Sequence, residues 1–202
     1  MLVLAHGWTK DDYDRFLGWV YDAKNPSPTY EEFQMMKVQN QFTTMVFSDF
    51  IALMETHADV FVMLDTGKIG KDYEKTKKVY EEIVTQAKSN DEVLQRLIVG
   101  GFNTVMIDAV RDTYDFTLYN LYFEKESVRQ DELLKMEDYI AYCYANNISS
   151  FSTSNAIYRN EDLGKRMKDA GLIQYVFTVN DENAANELFD IGVSVIGTDF
   201  LE

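Results

Sequence analysis

The chain has 202 residues, 46% hydrophobic and 14% aromatic, enough for one well-packed core, and reads as a single domain over residues 1–202. Its net charge of −15, from 34 acidic against 19 basic residues, repels nucleic acid and anionic membrane surfaces. No run approaches the roughly 20 apolar residues of a membrane span, and the start lacks a basic leader or a full signal core, so the expected location is the cytoplasm.

"MLVLA" opens the chain as a short strand with His6 on its exit. Pro26 and Pro28 precede Thr29, which with Glu32 forms a capping box and predicts a helix start. A second helix is predicted from Ser48, with Phe50, Ile51, Leu53 and Met54 as its apolar stripe. His57 falls at the end of that helix, where an imidazolium suits the helix dipole.

From Val60 the rhythm changes. "VFVMLD", "RLIVGGF", "FTLYNLYF", "ISSFST", "LIQYVFTV" and "VSVIGTDF" read as strands. Amphipathic or helical stretches separate them, including "GKDYEKTKKVYEEIVTQAK", "NTVMIDAVRDT", "QDELLKMEDYIAYCYANN", "EDLGKRMKDAG" and "NDENAANELFDIG". Near-continuous apolar strands alternating with helices predict a parallel sheet covered on both faces. Gly171 and Gly192 each carry the chain from helix to strand, at the position where a left-handed turn favours glycine. Serial strand-helix units, with no GxGxxG or P-loop motif, predict an α/β fold of the (β/α) TIM-type barrel rather than a doubly wound sheet.

Barrel active sites form at the C-terminal ends of strands, so polar residues at strand exits are the candidates. His6 has the chemistry of a general acid or base near neutral pH, or caps a surface turn. Asp65 is a hard-cation ligand or a turn residue in "DTGK", and Lys68 is a phosphate contact or a solvated cation. Asn180, Asp181, Thr198 and Asp199 close the last two strands. Gly100 and Gly101 mark either a close backbone approach to a ligand or a kinked barrel strand. Cys143 is the one cysteine and reads as a buried small hydrophobe.

The closing segment "YVFTVNDENAANELFDIGVSVIGTDF" resembles the last two units of the glycerophosphodiester phosphodiesterase family, a (β/α) barrel. Its aromatic-Thr-Val-Asn pattern matches Phe177, Thr178, Val179 and Asn180, with Phe177 in place of the usual tryptophan, and later Gly192, Val193, Thr198 and Asp199. "LVLAHGW" resembles the family segment bearing the second active-site histidine, which implies that role for His6. "VFVMLDTGK" resembles the strand bearing a metal-binding acid and a lysine, which implies metal ligation by Asp65 and substrate binding by Lys68, although the acid-lysine spacing here is one residue longer.

In complete members two strand-helix elements, with a His-Arg pair and a Glu-x-Asp pair, precede this point. The resemblance therefore implies an incomplete barrel lacking the first two strand-helix elements. It implies metal-assisted hydrolysis of a glycerophosphodiester to glycerol 3-phosphate and an alcohol, within lipid and glycerol metabolism. The implied cofactor is a divalent cation, Mg²⁺ or Ca²⁺, weakly held by this chain alone. Expected partners are the small phosphodiester and either a second copy of the chain or a complementing N-terminal fragment. Two rival expectations stand beside this one: a catalytically silent barrel that binds or assembles, and a different (β/α) enzyme using Asn180 and Asp181.

Overall fold

The computed structural model describes residues 2–67, 72–123, 136–160, 163–199 and 201. The chain divides into two compact units, one of Met1–Val60 with Lys78–Leu94 and one of Phe61–Lys77 with Gln95–Glu202.

The first unit begins with β1 (Val3–Leu4), followed by α1 (Lys10–Asp12), which runs into a wide π-type turn over Tyr13–Leu17. That turn stops at Gly18, whose φ of +57° suits a residue without a Cβ. Next come α2 (Tyr30–Met35), the hairpin β2 (Lys37–Val38) and β3 (Phe42–Thr43), then β4 (Met45–Val46) and α3 (Phe47–Thr56). The predicted capping box opens α2: the Thr29 hydroxyl accepts from the Glu32 amide at 3.2 Å, and the Glu32 carboxylate accepts from the Thr29 amide at 2.8 Å. Tyr13, Leu17, Phe33, Met36 and Val46 form a buried cluster, with Val3, Trp8, Phe16 and Tyr21 packed against it.

Two expectations change here. The helix predicted from Ser48 starts at Phe47, and its buried face is Phe47, Phe50, Ile51 and Met54, while Leu53 is 46% exposed. Spacings of three and four residues place 47, 50, 51 and 54 on one helical stripe, and 53 lies off it. The opening strand does not join the large parallel sheet. Val3 and Leu4 pair antiparallel with Val46 and Met45 instead.

The second unit is built on a six-stranded parallel sheet. Its strands are β5 (Val62–Leu64), β6 (Leu97–Gly101), β7 (Leu118–Phe123), β8 (Ser150–Ser154), β9 (Ile173–Phe177) and β10 (Val195–Ile196). Between β5 and β6 run α4 (Tyr73–Gln86) and α5 (Asp91–Leu94), and α6 (Thr104–Arg111) joins β6 to β7. Then α7 (Met136–Ala145) leads to β8, α8 (Asn155–Asn160) and α9 (Leu163–Asp169) lead to β9, and α10 (Glu182–Asp190) leads to β10. The strands lie side by side in strict chain order, β5 to β10, every neighbouring pair parallel. A doubly wound sheet reverses that order at a switch point; an unbroken sequential order is the winding of a (β/α) barrel wall. Within this sheet β5 and β10 are edges.

Alternation along each strand sorts the two faces. Leu97, Val99, Leu121, Phe151 and Val176 are fully buried, as are Met106, Ile107 and Val110 of α6. The opposite face carries Phe102 and Tyr122, packed with Met63, Tyr175 and Phe177. Beneath them lies a polar layer. Asn120 Oδ1 accepts from the Ser150 and Ser152 hydroxyls at 2.9 and 2.8 Å, and all three residues are buried.

Both predicted glycine turns form, Gly171 at φ +72° and Gly192 at φ +100°. The tight approaches at Gly100 and Gly101 are to protein: a Cβ would meet Tyr122 at 2.6 Å and Ile107 at 2.9 Å respectively. Cys143 is fully buried, and burial pushes its thiol up to about 12. The short helix α8, straight after β8, is not anticipated by the sequence pattern.

Candidate active site

His6 belongs to the first unit and Asp65 to the second. His6 follows β1 and keeps its side chain 56% exposed, while its Nδ1 lies 2.5 Å from Oδ1 of Asp12. The ring also packs beside Phe16, with centroids 5.2 Å apart.

Asp12 is the partner that the sequence reading missed. Its side chain is only 3% exposed. Oδ2 accepts from the Thr9 amide and the Thr9 hydroxyl, each at 2.7 Å, in a capping box that opens α1. Burial alone would raise the Asp12 pKa. Hydrogen bonds from the Thr9 hydroxyl, His6 and the Thr9 amide outweigh it and hold the carboxyl down at about 2. The signal was available in "TKDD", a threonine followed three residues later by an acid.

Asp65 leaves the C-terminal end of β5, the position from which barrel active sites are built. Its Oδ1 accepts from the Gly67 amide at 3.0 Å, so Asp65 also makes the turn that its sequence allowed. Lys68 lies outside the described residues. Across the sheet, Tyr175 rises from β9 toward Gly197, which has no Cβ to obstruct its hydroxyl. Burial raises the Tyr175 pKa, and the carboxylates of Asp65 and Asp199 push it the same way. Both acids therefore act on one tyrosine, which had no distinguishing signal within an apolar strand.

The exits of β9 and β10 are tied together. Asn180 Oδ1 accepts from the Thr198 hydroxyl at 3.0 Å and the Asp199 amide at 2.8 Å, while Nδ2 donates to Asp199 Oδ2 at 3.1 Å. Asp181 caps α10, accepting from the Ala184 amide at 2.8 Å. His57 is likewise engaged at a helix end, its Nδ1 2.9 Å from both the Leu53 carbonyl and the Thr56 hydroxyl.

A hard divalent cation takes six or more oxygen ligands, several of them carboxylate. Among the described residues no three acid, histidine or cysteine side chains converge. Asp65 offers one carboxylate, and one oxygen of that carboxylate already accepts an amide. The described residues thus do not fit a complete cation site.

The model of the glycerophosphoryl diester phosphodiesterase family matches residues 5–202. A search of curated proteins gives no match. Among solved structures, an Agrobacterium tumefaciens protein of the glycerophosphoryl diester phosphodiesterase type is similar at TM-score 0.68 and 14% identity, over 97% of this chain and 75% of that one. A Silicibacter pomeroyi protein of the same type is similar at TM-score 0.61 and 14% identity over 82% of this chain. The matched region spans 55% of the Silicibacter chain. An Oleispira antarctica phosphodiesterase, solved with the product sn-glycerol-3-phosphate, is similar at TM-score 0.59 and 16% identity, over 97% of this chain and 74% of that one. At these identities the likeness shows the fold, and the sequential parallel sheet is the wall of a TIM-type barrel.

Proposed function

This chain belongs to the glycerophosphoryl diester phosphodiesterase family, and on that premise we propose that it hydrolyses a glycerophosphodiester to glycerol 3-phosphate and an alcohol. The supporting observation is the family match over residues 5–202, a span that includes both His6 and Asp65.

In this reading water adds its oxygen to phosphorus while the bond from phosphorus to the alcohol oxygen breaks. The departing alkoxide takes the Nε2 proton of the charged His6 ring, the attacking water releases its proton to bulk water, and solvent returns a proton to Nε2 before the next turnover. His6 suits the donor role because it is the exposed half of a pair whose other half is buried. Asp65 is proposed as one ligand of the divalent cation, Mg²⁺ or Ca²⁺, and Lys68 as a contact to the substrate phosphate. A bound cation would neutralise phosphate charge. The described residues do not complete its site. Among the described residues β5 and β10 each pair on one side only, which favours either a second copy of the chain or a complementing segment as partner.

The test is release of glycerol 3-phosphate from a glycerophosphodiester, with excess Mg²⁺ or Ca²⁺ and with chelator, by the wild type, His6→Ala and Asp65→Asn. Turnover lost in His6→Ala and in chelator supports the reading. Turnover indifferent to both substitutions overturns these two roles, and substrate binding without turnover supports the silent binding module.

A further inference from the structure

We propose that Asp12 is the positioning residue of His6, fixing the imidazole with Nδ1 tied into the protein and Nε2 presented outward. This rests on the reading of His6 as the proton donor, although the geometry stands without it.

An ionised carboxylate only accepts hydrogen bonds, so the 2.5 Å contact requires the proton to be on Nδ1 of His6. Which ring nitrogen carries the proton is set by the bond that the other nitrogen makes. With Nδ1–H committed to Asp12, the neutral ring has its lone pair on Nε2, and the charged ring has its transferable proton there. After that proton leaves, the ring is already the tautomer that Asp12 holds, so a catalytic cycle needs neither a ring flip nor a second proton shift.

The clamp is built to stay in place. One carboxylate oxygen faces His6, and the other is held twice by Thr9 at 2.7 Å, which leaves the group no free rotation. The Asp12 amide donates back to the Thr9 hydroxyl at 3.3 Å, so carboxylate and helix start are one unit. Gly7, directly after the histidine, makes room for this approach: a Cβ there would meet Asp12 Oδ2 at 2.7 Å. Burial of Asp12 against exposure of His6 fits a fixed support and a working group. A bare capping box needs only a side chain that reaches back to the Thr9 amide; here the same acid also faces an imidazole.

The deciding measurement is the tautomer of His6 in the neutral protein, read from two-bond ¹H–¹⁵N correlation spectra. With only two histidines in the chain, His6→Gln assigns the signals. The wild type is expected to hold the Nδ1–H form, and Asp12→Ala to release it toward Nε2–H. Asp12→Asn keeps the shape, and with its oxygen held by Thr9 it turns its NH2 toward Nδ1, so it too is expected to shift the ring to Nε2–H if the alanine variant fails to fold. An Nε2–H form in the wild type overturns the proposal with no variant needed. In turnover, Asp12→Ala is expected to lower kcat about tenfold or more with KM little changed. In a His6→Ala background the same substitution should add nothing. A further loss there would mean a purely structural role. Absent turnover with the Nδ1–H tautomer intact would count against the enzymatic reading alone.

Discussion

Asn180 grips Asp199 with both ends of its amide, donating Nδ2 to the carboxylate at 3.1 Å and accepting the Asp199 backbone N–H at 2.8 Å. The pair joins the exit of β9 to the exit of β10, the edge strand, which is only two residues long. Asn180→Ala should therefore lower stability by about 0.5–1.5 kcal/mol, a modest figure because the site is exposed. Asn180→Asp should cost more at neutral pH, since it removes the donor and sets a second negative charge against Asp199. Urea unfolding at pH 7 in low and high salt checks this: the gap between the two variants should narrow as salt screens the added repulsion.

Gly100 is a packing glycine. A Cβ at that position would come within 2.6 Å of the Tyr122 ring and 3.4 Å of the Leu64 carbonyl oxygen. Tyr122 cannot easily withdraw, because it stacks on Phe102 with centroids 4.6 Å apart and nearly parallel rings. Gly100→Ala is expected to destabilise by about 1–3 kcal/mol, as overpacking does in close-packed interiors. Thermal melting of that variant beside Gly171→Ala separates the two reasons for glycine. The first is crowded, whereas the second has open space around it and a left-handed φ of +72°.

The wall of the barrel could be read from the residues because its physics is local. Strands such as "RLIVGGF" and "LIQYVFTV" are near-continuous apolar runs that announce themselves, and glycine turns punctuate them. The Thr29 capping box was legible for the same reason. The polar partnerships were not, since their meaning depends on which strands and turns meet. Asn120 is an ordinary residue in "TLYNLYF" until Ser150 and Ser152 arrive beside it from the next strand. Asp12 was hidden differently: it has a sufficient local purpose as a capping-box acid, and only the backward turn of the chain brings His6 against it. Leu53 follows Phe50 by a helical spacing of three, yet it lies at the margin of the stripe that Phe47, Phe50, Ile51 and Met54 define, so spacing from one neighbour alone misplaces it.

Asp12 should make stability depend on pH in a window that its own titration defines. Its carboxyl sits at about 2 in the folded chain, below the ordinary value of 3.8, so the folded state favours the ionised form. The resulting stabilisation is fully present above about pH 4 and disappears as pH falls through about 2. Many acids titrate in this range, so the specific readout is a difference. The stability gap between wild type and Asp12→Asn should be largest above pH 4 and shrink toward pH 2. A gap that does not change with pH would mean the carboxylate is no better held in the folded chain than in the unfolded one.

Cation binding gives the sharpest test of how much of the proposed chemistry this chain holds by itself. Asp65 supplies one carboxylate and spends one oxygen on the Gly67 amide. Asp199, the other acid acting on Tyr175, spends an oxygen on Asn180. Among the described residues, two partly committed carboxylates fall short of the oxygen shell that Mg²⁺ or Ca²⁺ requires, so a dissociation constant of about 1 mM or weaker is expected. A ligand at a concentration equal to that constant stabilises by only about 0.4 kcal/mol, so about 1 mM cation should barely move the melting temperature. Calorimetric titration of wild type and Asp65→Asn with MgCl₂ and CaCl₂ decides the matter. Heat that saturates at micromolar cation in the wild type and vanishes in Asp65→Asn would show that Asp65 belongs to a tight site. Its other ligands would then lie beyond the groups identified here, and hydrolysis through a firmly bound metal would follow for the chain alone.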